Sequence, residues 1–332
     1  MLRIWDNMVF DNKSLRWGES QGRHLDEIHR SYDTGLCNRI DHWEMGEILN
    51  KSHNYDYTIY LDEIHWPEAT ELITLPHTKL FSSNEIDDLI KRNTEFTKDS
   101  FEINNSYFNS LIVGNESLKD NHLYSNFDFS MISNVPESEI QSSVISNIKL
   151  TDSVLNEKIV NLVTDMVGIH IRRGRGIQYM DSIDSLPRQI QEGYSKYRLS
   201  EGVSTDKFFI YEFITDDVYF SVIDSILEAN PNQKFYISHD LPSELFNYYL
   251  DRYPNKIYTK SYFLDFIKNR YKTPITHVNN IIDLFSLANT KFILTHPLSS
   301  WSRFAFRYNN TLKRSVNDNI EDIVDTYVSN FL

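Results

Sequence analysis

From residue 166 onward the sequence alternates short apolar runs with longer stretches of helical spacing. This rhythm limits the chain to few folds. Met166 to Ile171, Lys234 to Ile237, Lys256 to Thr259 and Lys291 to Thr295 are four- to six-residue runs of strand length. Helical patterns are expected over Phe208 to Leu227, from Pro242 to about Tyr253, from Asn279 as a cap to about Ala288, and over Trp301 to Phe306. Proline suits a first helical turn because its missing N–H would have no partner there. Strands that alternate with helices of this length imply a parallel, doubly wound α/β sheet, which binds ligands off the carboxyl ends of its strands. Three polar clusters sit there: His170 to Arg175, Ser238 to Asp240, and His296 to Ser302.

The N-terminal half is harder to read. Gly35-Leu36-Cys37-Asn38-Arg39 is expected as a turn leading into a helix from about Asp41 to Asn50, with Ile40, Trp43, Glu47 and Ile48 at helical spacing. Tyr57 to Leu61 alternates like a strand. Residues 1–34 are read as a strand or hairpin region. Residues 82–155 are rich in Ser, Asn, Asp and Glu, and the linker-like composition of Ser133 to Ser146 points to a boundary near 150–160. The expected division is 1–155, 156–310 and a helical tail over 311–332.

The charge balance is 33 Lys and Arg against 47 Asp and Glu, a net charge of −14. A chain this acidic repels nucleic acid and anionic lipid at long range, so a basic cluster in it needs a local reason. The single cysteine, Cys37, excludes an intramolecular disulfide and fits a reducing compartment. There is no signal-like apolar run at the start and no stretch of about 18 apolar residues, so the expectation is a cytoplasmic protein without a transmembrane segment.

His170-Ile171-Arg172-Arg173-Gly174-Arg175-Gly176 sets three arginines and two glycines after a buried strand. Arginine forks match pairs of phosphate oxygens, and glycines let backbone N–H groups approach. The alternatives are arginines paired with surplus carboxylates, or a nucleic-acid patch. At Ser238-His239-Asp240 the carboxylate can accept from the N–H edge of guanine, or it can cap the helix that Pro242 opens. Ser299-Ser300-Trp301-Ser302 lies where a strand turns into a helix, which makes either an anion site or an ordinary serine cap. Asp87-Asp88 and Asp216-Asp217 are adjacent rather than spaced like an Asp-x-Asp metal motif, and are read as solvated faces.

Taken in order, Gly35 to Arg39, Gly168 to Gly174, Ser238 to Asp240 and Asp283 to Ser302 resemble the motifs of the metal-independent fucosyltransferase superfamily. That group includes protein O-fucosyltransferases, α1,6- and α1,2-fucosyltransferases and rhizobial chitooligosaccharide fucosyltransferases. The resemblance implies a GT-B glycosyltransferase: two Rossmann-like domains facing a cleft. It implies inverting transfer of a sugar, with L-fucose first, from a GDP-sugar to a glycan or glycoconjugate hydroxyl, and no metal or other cofactor.

By the same resemblance Arg172 stabilises the leaving diphosphate and Arg173 positions the donor. His170 and Asp240 hold guanine, Ser299, Ser300 and Ser302 touch the phosphates, and Asn38 sits by the transferred sugar, with Gly35 and Arg39 on the donor side. Asp181 is the first candidate for the general base, ahead of Asp184 and Asp33. One departure is plain: Arg175 replaces the motif's aspartate. The alternatives are a GT-B transferase for another nucleotide sugar, or a catalytically inactive nucleotide- or carbohydrate-binding homologue.

Overall fold

The computed structural model describes residues 2–5, 36–37, 40, 43–44, 57–62, 67–76, 78–81, 101–103, 123–125, 144–172, 214–241, 243–297 and 299–332. The chain divides into two compact units. One comprises Met1–Ser153 with Asn269–Ile281, the other Val154–Lys268 with Ile282–Leu332.

The strands are β1 (Leu2–Trp5), β2 (Tyr57–Asp62), β3 (Ile73–Thr74), β4 (Thr78–Phe81), β5 (Phe101–Ile103), β6 (Leu123–Ser125), β7 (Lys149–Leu150), β8 (Val167–Ile171), β9 (Phe235–His239), β10 (Ile257–Tyr258), β11 (Phe292–Thr295) and β12 (Leu312–Ser315). In the first unit β4-β2-β1-β6-β5 form a parallel sheet, and β3 pairs antiparallel with β7.

Leu36, Cys37, Ile40, Trp43 and Glu44 are all buried and helical. Their spacing puts them on one stripe of a helix. Helical backbone is therefore present at Leu36 and Cys37, where a turn was expected, because these apolar residues extend the buried stripe. The Trp43 indole N–H donates to the Pro76 carbonyl at 3.1 Å.

The returning segment 269–281 is held within the first unit by three carboxylates. Glu71 accepts from the backbone N–H groups of Lys272 and Thr273, at 2.8 and 2.9 Å, and from the Thr273 hydroxyl at 3.0 Å. Asp152 accepts from Arg270 Nε and the Tyr271 hydroxyl, both at 2.6 Å. Buried Glu68 lies 2.7 Å from His277 Nδ1.

The second unit carries the regular alternation. Its sheet runs β10-β9-β8-β11-β12, all parallel. The chain moves from β8 to β9 and β10 on one side, then returns to β11 and β12 on the other. The strand order therefore reverses at β8, and a ligand crevice of such a sheet opens off the carboxyl ends at that point. Side chains alternate across β8 as the two-residue period requires. Val167, Ile169 and Ile171 enter a core with Tyr219, Val222, Ile223 and Ile226 of the helix Asp216–Ala229, and with Ile323 and Tyr327 of the helix Ile320–Phe331. Gly168 and His170 take the opposite face. An added Cβ at Gly168 would run into the Thr290 hydroxyl and come within 2.8 Å of Leu287 Cδ1, so glycine lets helix and strand approach.

Several expectations shift. Asn279 does not start the helix: it lies inside Ile275–Ala288, whose first turn closes on the Pro274 carbonyl through the N–H groups of His277 and Val278. The helix expected over Phe208 to Leu227 runs from Asp216 to Ala229, and 208–213 lie outside the described residues. Of the adjacent pair that opens it, Asp217 is exposed, but Asp216 is half-buried and accepts from the Tyr249 hydroxyl at 2.6 Å. Residues 311–332 include a strand as well as a helix. Leu312–Ser315 pairs with β11, and Ile320–Phe331 packs into the core beneath the sheet.

Candidate active site

At the reversal point two adjacent strands end in step. β8 and β9 pair with His170 opposite Ser238 and Ile171 opposite His239. The next residues, Arg172 and Asp240, meet just past the strand ends, where Arg172 Nη1 donates to Asp240 Oδ2 at 2.8 Å. The side chains keep 36% and 26% of their exposure, so the pair stands at the surface of the site.

Two residues before Arg172, His170 is buried, and its Nδ1 lies 2.7 Å from the Ser302 hydroxyl. That hydroxyl oxygen also accepts the backbone N–H of His296 at 3.1 Å. Burial pushes the His170 pKa well below its usual range, and the repulsion its charged form would meet from His296, Arg172 and His239 adds to the effect. The ring is neutral at physiological pH. His239 is pushed down to about 4, by burial first and then by Lys260, with Asp240 acting the other way. Its ring stacks on Phe246 at 3.8 Å between centroids.

Ser299 occupies the N-cap position of the helix Ser300–Tyr308 in extended conformation, and its side chain makes no capping hydrogen bond. This helix begins directly after β11 and the His296–Pro297 turn. Its first residues bring Trp301 to 6.5 Å from His170, ring to ring, and Ser302 into contact with the same histidine. A helix start of this kind collects unpaired N–H groups and the positive end of the helix dipole.

A second polar group centres on Asp283, which is 4% exposed. Its carboxylate accepts from the Tyr236 hydroxyl at 2.9 Å, the Ser238 hydroxyl at 3.0 Å and Lys260 Nζ at 3.4 Å. Trp301 Nε1 donates to the same Ser238 hydroxyl at 3.0 Å. Burial raises the Asp283 pKa; Lys260 and the two hydroxyls pull it back. The Tyr236 hydroxyl is pushed well above its ordinary range, by burial and by the Asp283 charge. Asp283 thus ties β9 to the helix Ile275–Ala288, and through Ser238 to Trp301.

Of the residues singled out in the sequence, His170, Arg172, Asp240, Ser299, Ser300 and Ser302 gather at this end of the second sheet. Gly35, Asn38, Arg39, Arg173, Arg175 and Asp181 lie outside the described residues. Asp283, Lys260, His296 and Trp301 were given no role from sequence. A signal for Asp283 was present: a carboxylate inside the apolar run Ile281-Ile282-Asp283-Leu284-Phe285 is rarely buried without partners. Among the described residues no group of three or more His, Cys, Asp or Glu side chains is arranged to hold a metal, and no helix is long and apolar enough to cross a membrane.

No protein-family model matches the chain, and no curated protein matches it in sequence. Solved structures similar to it include the fucosyltransferase NodZ from Bradyrhizobium, 12% identical over 82% of this chain and 89% of that one, with a TM-score of 0.44. POFUT1 in complex with GDP is 11% identical over 95% of both chains, with a TM-score of 0.43. The NodZ α-1,6-fucosyltransferase soaked with GDP-fucose is 10% identical over 82% and 89%, with a TM-score of 0.39. Likeness at this level carries no argument about substrate or residue roles, which rest on the chain's own residues.

Proposed function

We propose that this chain is an inverting glycosyltransferase that moves a sugar from a nucleoside-diphosphate donor to a glycan hydroxyl. The donor favoured by the motif resemblance is GDP-L-fucose. The observation that carries the reading is Arg172, held by Asp240 off the carboxyl end of β8 where the strand order reverses, in the same unit as the N-terminus of the helix Ser300–Tyr308.

The chemistry follows from the leaving group. The acceptor hydroxyl oxygen attacks C1 of the sugar as the bond from C1 to the β-phosphate oxygen breaks. The diphosphate leaves with the electron pair, and its negative charge grows in the transition state. Positive groups fixed in advance stabilise that growth without reorganising. Arg172 supplies a guanidinium and the helix start supplies N–H groups; together they do the work that a divalent cation does in metal-dependent transferases. Neutral His170, fixed through Nδ1 by Ser302, adds no second cation. By the motif resemblance alone, Arg173, Gly35 and Arg39 are assigned to donor binding, Asn38 to the transferred sugar and Asp181 to the acceptor's proton.

The test is a panel of GDP- and UDP-sugars followed by mass shift and by free nucleotide, with and without excess EDTA. Turnover of a GDP-sugar that survives chelation supports the reading. Turnover lost to EDTA and restored by Mn²⁺ or Mg²⁺ points to a metal mechanism. Binding without transfer or hydrolysis points to a binding protein.

A further inference from the structure

Asp240 stands where a reader of the nucleotide base was expected, yet its Oδ2 is directed at Arg172. We propose that Asp240 is the positioning residue of Arg172: its carboxylate sets the guanidinium at the angle that meets the donor's diphosphate, and it does not read the base. This inference rests on the nucleoside-diphosphate reading given above.

Three observations support it. First, the register of β8 and β9 brings Arg172 and Asp240 opposite each other as the first pair beyond the ladder. Both backbones are anchored by buried neighbours, so the contact is built into the sheet. Second, the pair is too exposed to serve stability: ion pairs open to solvent add little to a fold, since water screens them and ordering two side chains costs entropy. Third, the imidazole beside the carboxylate is neutral. His239 beside it is held near 4 and His170 lower than its usual range, both chiefly by burial. Lys260, the other cation near His239, is bound to Asp283.

Arginine is flexible along its stem, but its planar fork binds well once oriented. A guanidinium has five N–H donors, so it can hold a carboxylate on one edge and meet phosphate oxygens with another. A guanine reader offers both carboxylate oxygens side by side to N1–H and the 2-amino group, whereas Asp240 Oδ2 is engaged by Arg172.

The experiment is a double-mutant cycle read by titration calorimetry: wild type, Asp240→Asn, Arg172→Ala and the double variant, each with GDP, UDP and inorganic pyrophosphate. Asp240→Asn is expected to weaken all three by the same factor, about tenfold, within the range for coupled residues in contact. In the Arg172→Ala background the same change is expected to cost less than about twofold. A loss confined to GDP would make Asp240 the base reader and overturn the inference. Equal losses with and without Arg172 would also overturn it, by showing that the two act separately. If wild type binds none of the three, the nucleoside-diphosphate reading falls first and the inference with it.

Discussion

Arg172 and Asp240 meet one step beyond the last paired residues of two parallel strands, Nη1 to Oδ2 at 2.8 Å. The pairing gives an acidic chain one fixed cation at a strand-order reversal. A mobile arginine among 47 acidic residues has many partners; this one is committed to a place and an angle. Preorganised charge of that kind is what a departing diphosphate requires.

Gly168→Ala is expected to destabilise the second unit by about 1–3 kcal/mol, the usual cost of overpacking a close contact. The new methyl would meet the Thr290 hydroxyl and Leu287 Cδ1. Thermal denaturation checks this, and an unchanged melting temperature would mean that strand and helix separate easily. Pairing the change with Thr290→Ala should recover part of the loss.

Asp283→Ala removes the one acceptor shared by Tyr236, Ser238 and Lys260. Breaking a buried, paired charge costs about 3–5 kcal/mol, reduced here because Lys260 is partly solvated. Trp301 reaches this group through Ser238, so its fluorescence should report the loss. A stable variant with unaltered emission would show that the network is dispensable.

How far these sites could be seen in sequence depends on the physics of each signal. β8, β9 and β11 were legible because each is a short apolar run that ends in charge or hydroxyl. β5 and β6 were not: three residues each, in a background of Ser, Asn and Asp, give no measurable period. Asn279 misled because asparagine is a good cap, yet the segment ahead of it was already fixed by Pro274 and by the grip of Glu71 on Thr273. That grip joins residues about 200 positions apart, a contact that no local pattern encodes. Arg172 and Asp240 were each noticed, but only the strand register shows that they belong together.

Glu71 also predicts a pH dependence. Burial raises its pKa, but the donors from Thr273 and Lys272 outweigh that and leave it below the usual 4.5. A carboxylate depressed in the folded state adds stability above its unfolded pKa. That contribution is lost as pH falls through the folded value. Glu71→Gln should therefore cost about 1 kcal/mol at pH 7, after discounting for solvent screening, and flatten the acid limb below about pH 5. Melting temperatures measured from neutral to acid pH check this; parallel curves for the two proteins would remove Glu71 from the account.

Asp181→Asn is expected to lower transfer strongly while leaving GDP affinity nearly unchanged, as for a base that meets the acceptor and not the donor. Steady-state rates and calorimetry on one preparation separate the two effects. Near-normal transfer would move the role to Asp184 and then to Asp33.

The central claim is that Arg172 neutralises the leaving diphosphate, and the release of GDP from GDP-fucose in excess EDTA tests it most directly. Wild type should turn over, and Arg172→Lys should fall by about 10²–10³, because a point charge cannot replace a two-pronged donor to developing charge. Turnover by Arg172→Lys close to wild type would contradict the account.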